Sequence, residues 1–205
     1  IVGQKETGSA LVYLSFFLMF YREGMQGSIL FSGVAMVIYF VVGIKYENVM
    51  LMDTPTSVGK YVVLLLAQIF TTGMVASYCK SPKTVRIMAI AVASTTLIAT
   101  LAARFIVAFD IVWIQLATIV AMAIFLIYQG LSTRIRSFFY ISLFCIGSVL
   151  FFYSADYMLN DVMKPHQRVR INVLLGLEED LSGAGYNVHQ SEIAIGSGGL
   201  KGKGF

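Results

Sequence analysis

Apolar residues in this chain are gathered into blocks. Six stand out, at roughly residues 8–21, 28–44, 61–78, 87–103, 111–128 and 138–157. About 20 apolar residues in a helix cross the roughly 30 Å hydrocarbon core of a bilayer, and most of these blocks approach that length. Backbone inside lipid must satisfy its own polar groups, so the blocks are predicted to be helices. Barrel strands would be shorter and would alternate apolar with polar side chains, which these blocks do not. The predicted fold class is an all-α polytopic integral membrane protein. Transmembrane helices fill residues 1–160, and a long polar segment, 161–205, follows them. The first block is short, and its helix is expected to begin upstream near Gln4.

The polar positions between blocks fall into two alternating sets. One set holds Arg22, then Lys80, Lys83 and Arg86, then Arg134 and Arg136, with Glu23 its single acid. The other holds Lys45, Glu47, Asp53, Lys60, Arg104 and Asp110, which nearly balance. Lys/Arg bias in short loops marks the cytoplasmic side. The chain is therefore expected to start outside, cross six times and release its polar segment outside. That segment carries Lys164, Arg168 and Arg170, but long loops translocate largely regardless of charge.

Composition strengthens the membrane reading. The 205 residues are 58% hydrophobic and 13% charged, about half the roughly 25% charge of a soluble domain. Mean hydropathy is +0.78. Cys79 and Cys145 form no C-x-x-C pair, and His166 and His189 are far apart, so neither a disulfide framework nor a metal site is indicated. No signal peptide and no internal repeat are visible. The chain opens at Ile1 and stops at Phe205 within a Gly/Lys run, so it reads as a fragment.

Three polar stretches offer chemistry. In "GQKETG", residues 3–8, Glu6 sits at the outer mouth of the first span. A carboxylate within hydrocarbon is functional by default, whereas one just outside is simply solvated by water, alone or paired with Lys5. In "KPHQRVRI", residues 164–171, Arg168 and Arg170 are two apart, so an extended chain would put both on one face. Arginine forks match phosphate oxygens bidentately, although snorkelling at the headgroups explains the same residues. The closing "SEIAIGSGGLKGKGF" could form a nest of N–H groups around an anion or be slack loop. It is not a P-loop, because Gly204 follows Lys203 where Ser or Thr is required.

The polar segment also carries a longer pattern. Gln167, Arg168 and Arg170, then Gly183, Gly185 and Tyr186, then an unbroken Gln190, Ser191, Ile193, Ala194, Ile195, Gly196, Ser197, Gly198 and Gly199, then Gly202, Gly204 and Phe205 resemble the SEDS family (shape, elongation, division and sporulation). "QKETG" is similar to the family's Q-P-[DE]-x-G through Gln4, Glu6 and Gly8, departing at Lys5. Leu181 departs where the family often has Pro. In familiar relatives two spans separate these motifs; here six blocks do, so the segments from about Tyr61 to Gln129 are read as inserted hairpins. An even number of inserted spans keeps the polar segment outside. The resemblance covers both ends of the chain and not its middle.

The resemblance implies peptidoglycan glycosyltransfer: polymerisation of lipid II at the outer face of the bacterial cytoplasmic membrane, beside a class B penicillin-binding protein. It implies no nucleic acid and no cofactor, with a divalent cation an open alternative. A lipid II flippase or a non-enzymatic scaffold of the same machinery are the rival readings. The family's general base is an Asp in a P-E-x-H-T-D-F segment that follows the G-x-G motif. That segment is absent here, so no catalytic residue is assigned. Substrate-binding roles are implied for Glu6, Arg168, Arg170, Gln190, Ser191, Ser197 and Lys203. Gly196, Gly198, Gly199, Gly202 and Gly204 would let the outer loop fold closely over the substrate.

Overall fold

The computed structural model describes residue 16, residues 19–51, 54–105 and 109–174, and residues 177, 186, 190, 191, 193, 196 and 197. Among them the regular structure is helical. In chain order the helices are α1 (Gly27–Lys45), α2 (Val58–Met74), α3 (Pro82–Phe105), α4 (Val112–Thr133), α5 (Ser137–Tyr157) and α6 (Pro165–Leu174). One π-turn, Val75–Cys79, extends α2, and another, Met158–Val162, extends α5. The chain divides into two compact units, Ile1–Phe152 and Tyr153–Phe205.

Five of the described helices, α1 to α5 with their π-turns, are long and apolar enough to cross a membrane. They match the second to sixth predicted blocks. The first block falls mostly outside the described residues. Within 61–129 the structure places α2, α3 and α4, three spans and not complete hairpins. The inserted-hairpin reading is corrected there. Removing an odd number of spans would send everything downstream to the other side of the membrane.

In the first unit α2 is the most deeply buried helix. Its buried residues Gly59, Val63, Leu64, Ala67, Gln68, Thr71 and Met74 recur every three or four positions, forming one face of a 3.6-residue helix. Against it come α1 through Tyr39 and Gly43, spaced by four, and α4 through Val112, Gln115 and Ile119. Leu64, Val112, Ile119 and Cys145 form one shared apolar cluster. The two cysteines are free, Cys145 buried and Cys79 half-buried.

Between membrane helices small residues permit close backbone approach, and hydroxyls and amides join neighbours. Both devices occur. A Cβ at Gly59 would stand 2.5 Å from the Gly43 carbonyl oxygen, so α1 and α2 meet backbone to backbone. The Gln68 side-chain amide donates to the Gln115 carbonyl at 3.3 Å, and the Ser142 hydroxyl to the Ala123 carbonyl at 3.2 Å. Buried Thr71 and Ser148 instead return their hydroxyl protons to carbonyls four residues back in their own helices.

The loops entering α2 and α4 are fastened together. The hydroxyl of Thr56, wholly buried, donates to Asp110 Oδ1 at 2.9 Å and accepts the Ile111 N–H at 2.8 Å. Asp110 Oδ1 also accepts the Val112 N–H at 3.1 Å, satisfying a donor at the start of α4. This clasp puts the first turns of α2 and α4 at one end of the unit, so their last turns lie together at the other. It agrees with the alternation of loops expected from charge. Replacing Thr56 with Val should cost about 1–3 kcal/mol, because a buried N–H and a carboxylate oxygen lose a partner. Ser at this position should restore most of the loss; denaturant titration of the purified protein in detergent measures both.

Candidate functional site

The second unit contains the end of α5, its π-turn and α6. Helix α6 starts where the sequence supplies a helix-start pattern. Pro165 takes the first helical position, where its missing N–H costs nothing. Two residues on, the Gln167 side-chain oxygen accepts the Lys164 N–H at 3.4 Å, and the N–H groups of Gln167 and Arg168 both return to the Lys164 carbonyl, at 2.9 and 3.2 Å. The reach of the Gln167 side chain back to the Lys164 N–H is one half of a capping box. Beyond α6, the Leu177 N–H donates to the Asn172 carbonyl at 2.8 Å.

That helix corrects the extended reading of residues 164–171. At about 100° per residue, positions 168 and 170 lie roughly 200° apart around α6 instead of on one face. The cation one turn before Arg168 is Lys164, the residue that caps α6, whose carbonyl accepts the Arg168 N–H. Both are exposed, and neither side chain makes a hydrogen bond or ion pair with a described residue. The pairing missed by sequence reasoning was available in the sequence: "KPHQ" places a cap residue, Pro and Gln at helix-start spacing.

Other predicted residues divide in two. Gln190, Ser191 and Ser197 are exposed and have helical backbone, as do Tyr186, Ile193 and Gly196. The slack-loop reading of the Gly-rich stretch is therefore corrected at Gly196 and Ser197. Gly196 has no positive φ, and among the described residues nothing lies within 4 Å of a Cβ built on it. Neither strain nor close approach to a described residue explains a glycine there. Glu6, Gly198, Gly199, Gly202, Lys203 and Gly204 lie outside the described residues, so only part of the predicted constellation is described.

One further carboxylate escaped the sequence reading. Asp156 lies in the last turn of α5, and the Asn160 side chain donates to its Oδ1 at 3.0 Å from within the π-turn. An acid at the end of an apolar span is costly unless paired, and π-turns gather at functional positions. The signal in the sequence was an Asp and an Asn four apart, at the edge of a greasy block. Among the described residues no three of His, Cys, Asp and Glu converge in a way that would hold a metal ion.

Five apolar helices of membrane-spanning length, followed by a polar helical unit, define a polytopic α-helical membrane protein. The chain belongs to the FtsW/RodA/SpoVE family, described as cell cycle proteins, whose model matches residues 54–205. This is the SEDS family of the motif reading. The match runs through the middle of the chain, which that reading had left uncovered, and begins after the Gln4–Gly8 motif.

Individual relatives match shorter stretches. Over 44 residues the chain is 57% identical to the peptidoglycan glycosyltransferase MrdB of Escherichia coli (strain K12), covering 22% of this chain and 12% of that protein. Over 70 residues it is 39% identical to the peptidoglycan glycosyltransferase RodA of Treponema pallidum (strain Nichols), covering 34% of this chain and 16% of the relative. The chain thus spans less than a fifth of the length of these curated relatives. No solved structure matches it.

Proposed function

We propose that the full-length protein is a peptidoglycan glycosyltransferase that polymerises lipid II at the outer face of the bacterial cytoplasmic membrane. The family match from residue 54 to residue 205 carries the reading, and both relatives described above are named peptidoglycan glycosyltransferases. In the reaction a carboxylate takes the proton from an acceptor sugar 4-hydroxyl. The oxygen attacks the donor's anomeric carbon, and the polyprenyl pyrophosphate departs with inversion. A positioned base and cations on the departing phosphates are what this step requires.

On the phosphate side, Arg168, exposed on α6, and Lys164, exposed at the cap just before that helix, are the groups proposed to neutralise the pyrophosphate. Arg170, round the helix, is proposed to contact substrate separately. Glu6 is assigned to the acceptor sugar, and Gln190, Ser191, Ser197 and Lys203 to polar groups of the disaccharide. A class B penicillin-binding protein is the proposed partner, cross-linking the strands as they form.

Vesicles containing the full-length protein and fluorescent lipid II separate this reading from transport. A glycosyltransferase converts lipid II into polymer. A flippase carries the label across the bilayer and leaves it monomeric, an outcome that would overturn the proposal.

A further inference from the structure

The charged end of the first unit has a construction that the glycosyltransfer reading does not use. The clasp between Thr56 and Asp110 fixes the starts of α2 and α4 at one end, so both helices finish at the other. Each finishes on a cation in the left-handed backbone region: Lys80 at φ 48° after the α2 π-turn, and Arg134 at φ 57° after α4. They are the only non-glycine residues with positive φ among the described residues. Glycine is the usual occupant of this helix-ending position because a Cβ is strained there. Two directly packed helices therefore end on the same unfavourable residue choice, and in both the residue is a cation.

The surroundings point to the ligand. Lys83, Arg86 and Arg136 follow within six residues of these caps, and all five cations are exposed. None makes a side-chain hydrogen bond or ion pair with a described residue, and the only acid in the loops of this end is Glu23. Beside them stand Tyr78, Tyr128 and Tyr140, which are 49%, 64% and 69% exposed, together with Leu131 at 68% and Ile87 at 53%. Exposed tyrosines mark the headgroup level of a bilayer, and cations at that depth face lipid phosphates. The opposite end has the same helices but nearly balanced charge, with Lys45, Lys60 and Arg104 set against Glu47 and Asp110.

We propose that this end of the bundle is a binding surface for anionic phospholipid headgroups, with Lys80 and Arg134 each seated on a headgroup phosphate. An acidic protein segment would satisfy the charges, but it would not account for the adjoining exposed tyrosines and aliphatics. The inference rests on the membrane placement of the helices and is independent of glycosyltransfer.

The test compares retention of phosphatidylglycerol and phosphatidylcholine by the purified protein in mixed detergent micelles, read by native mass spectrometry. Wild type should retain phosphatidylglycerol preferentially. Glycine at both caps (K80G with R134G) removes the charges while accepting the left-handed backbone, so the fold should hold or gain stability. Its preference should fall about five-fold for each cation removed. K80R with R134K should keep the preference. K83Q with R136Q, away from the caps, should also reduce it, giving a second reading if the glycine variant folds poorly. Equal retention of the two lipids by wild type would overturn the proposal in favour of an acidic protein partner. Undiminished preference in both neutralised variants would overturn it as well.

Discussion

Replacing Gly59 with alanine should destabilise the membrane bundle by about 1–3 kcal/mol, the usual cost of overpacking a filled interior. The added methyl would stand 2.5 Å from the Gly43 carbonyl oxygen, 3.0 Å from the Tyr46 carbonyl carbon and 3.1 Å from the Glu47 nitrogen. All three are backbone atoms, so no side chain can swing aside. Relief requires α1 and α2 to separate where the Gly59 N–H bonds the Tyr46 carbonyl at 3.0 Å. Gly73 lies in the same helix and provides the control, because no described residue comes within 4 Å of its Cβ position. Alanine there should be neutral or stabilising by up to about 1 kcal/mol through helix propensity. Gly43 is an intermediate case: its methyl would run into the Phe152 ring, so Phe152→Leu should rescue Gly43→Ala but not Gly59→Ala. Thermal unfolding in one detergent, monitored by circular dichroism, reads all of these variants. Equal behaviour of the Gly59 and Gly73 variants would contradict the packing of α1 on α2.

Replacing Arg168 with alanine should lower lipid II turnover by the full-length protein about 10- to 100-fold. Loss of a charge-assisted hydrogen bond costs roughly 1.5–3 kcal/mol, which is one to two decades when it acts in the transition state. Lysine should restore only part of the rate, since an ammonium keeps the charge and loses the bidentate fork. The start of α6 adds a requirement that the sequence pattern did not contain: with Lys164 capping the helix one turn before Arg168, Lys164→Ala should impair turnover more than a change at a distant exposed cation, such as Lys83. Lipid II turnover should be measured with each variant shown to insert normally. Full activity in Arg168→Lys would reduce the residue to headgroup snorkelling.

The spans were legible because hydrocarbon is an undemanding solvent: twenty apolar residues suffice, and blocks such as 28–44 and 138–157 fell within a residue of α1 and α5. Helix ends were less legible. The π-turns after Met74 and Tyr157 depend on how the last carbonyls are satisfied, which hydropathy does not encode. The clasp of Thr56 on Asp110 joins residues 54 apart in the chain and leaves no local pattern. Arg168 and Arg170 were misjudged for a different reason. Spacing by two was read as strand geometry, whereas Pro165 and Gln167 had already marked the start of a helix. Gly196 shows the limit of reading glycine as loop, because its backbone is helical.

Glycosyltransfer is the central claim, and product analysis tests it most directly. The purified full-length protein is incubated with radiolabelled lipid II, and the products are separated by length before and after muramidase digestion. The account predicts strands of repeating disaccharide that muramidase cuts back to single units, with polyprenyl pyrophosphate released in step with strand growth. Lipid II recovered unchanged from protein that is folded and binds it would contradict the account.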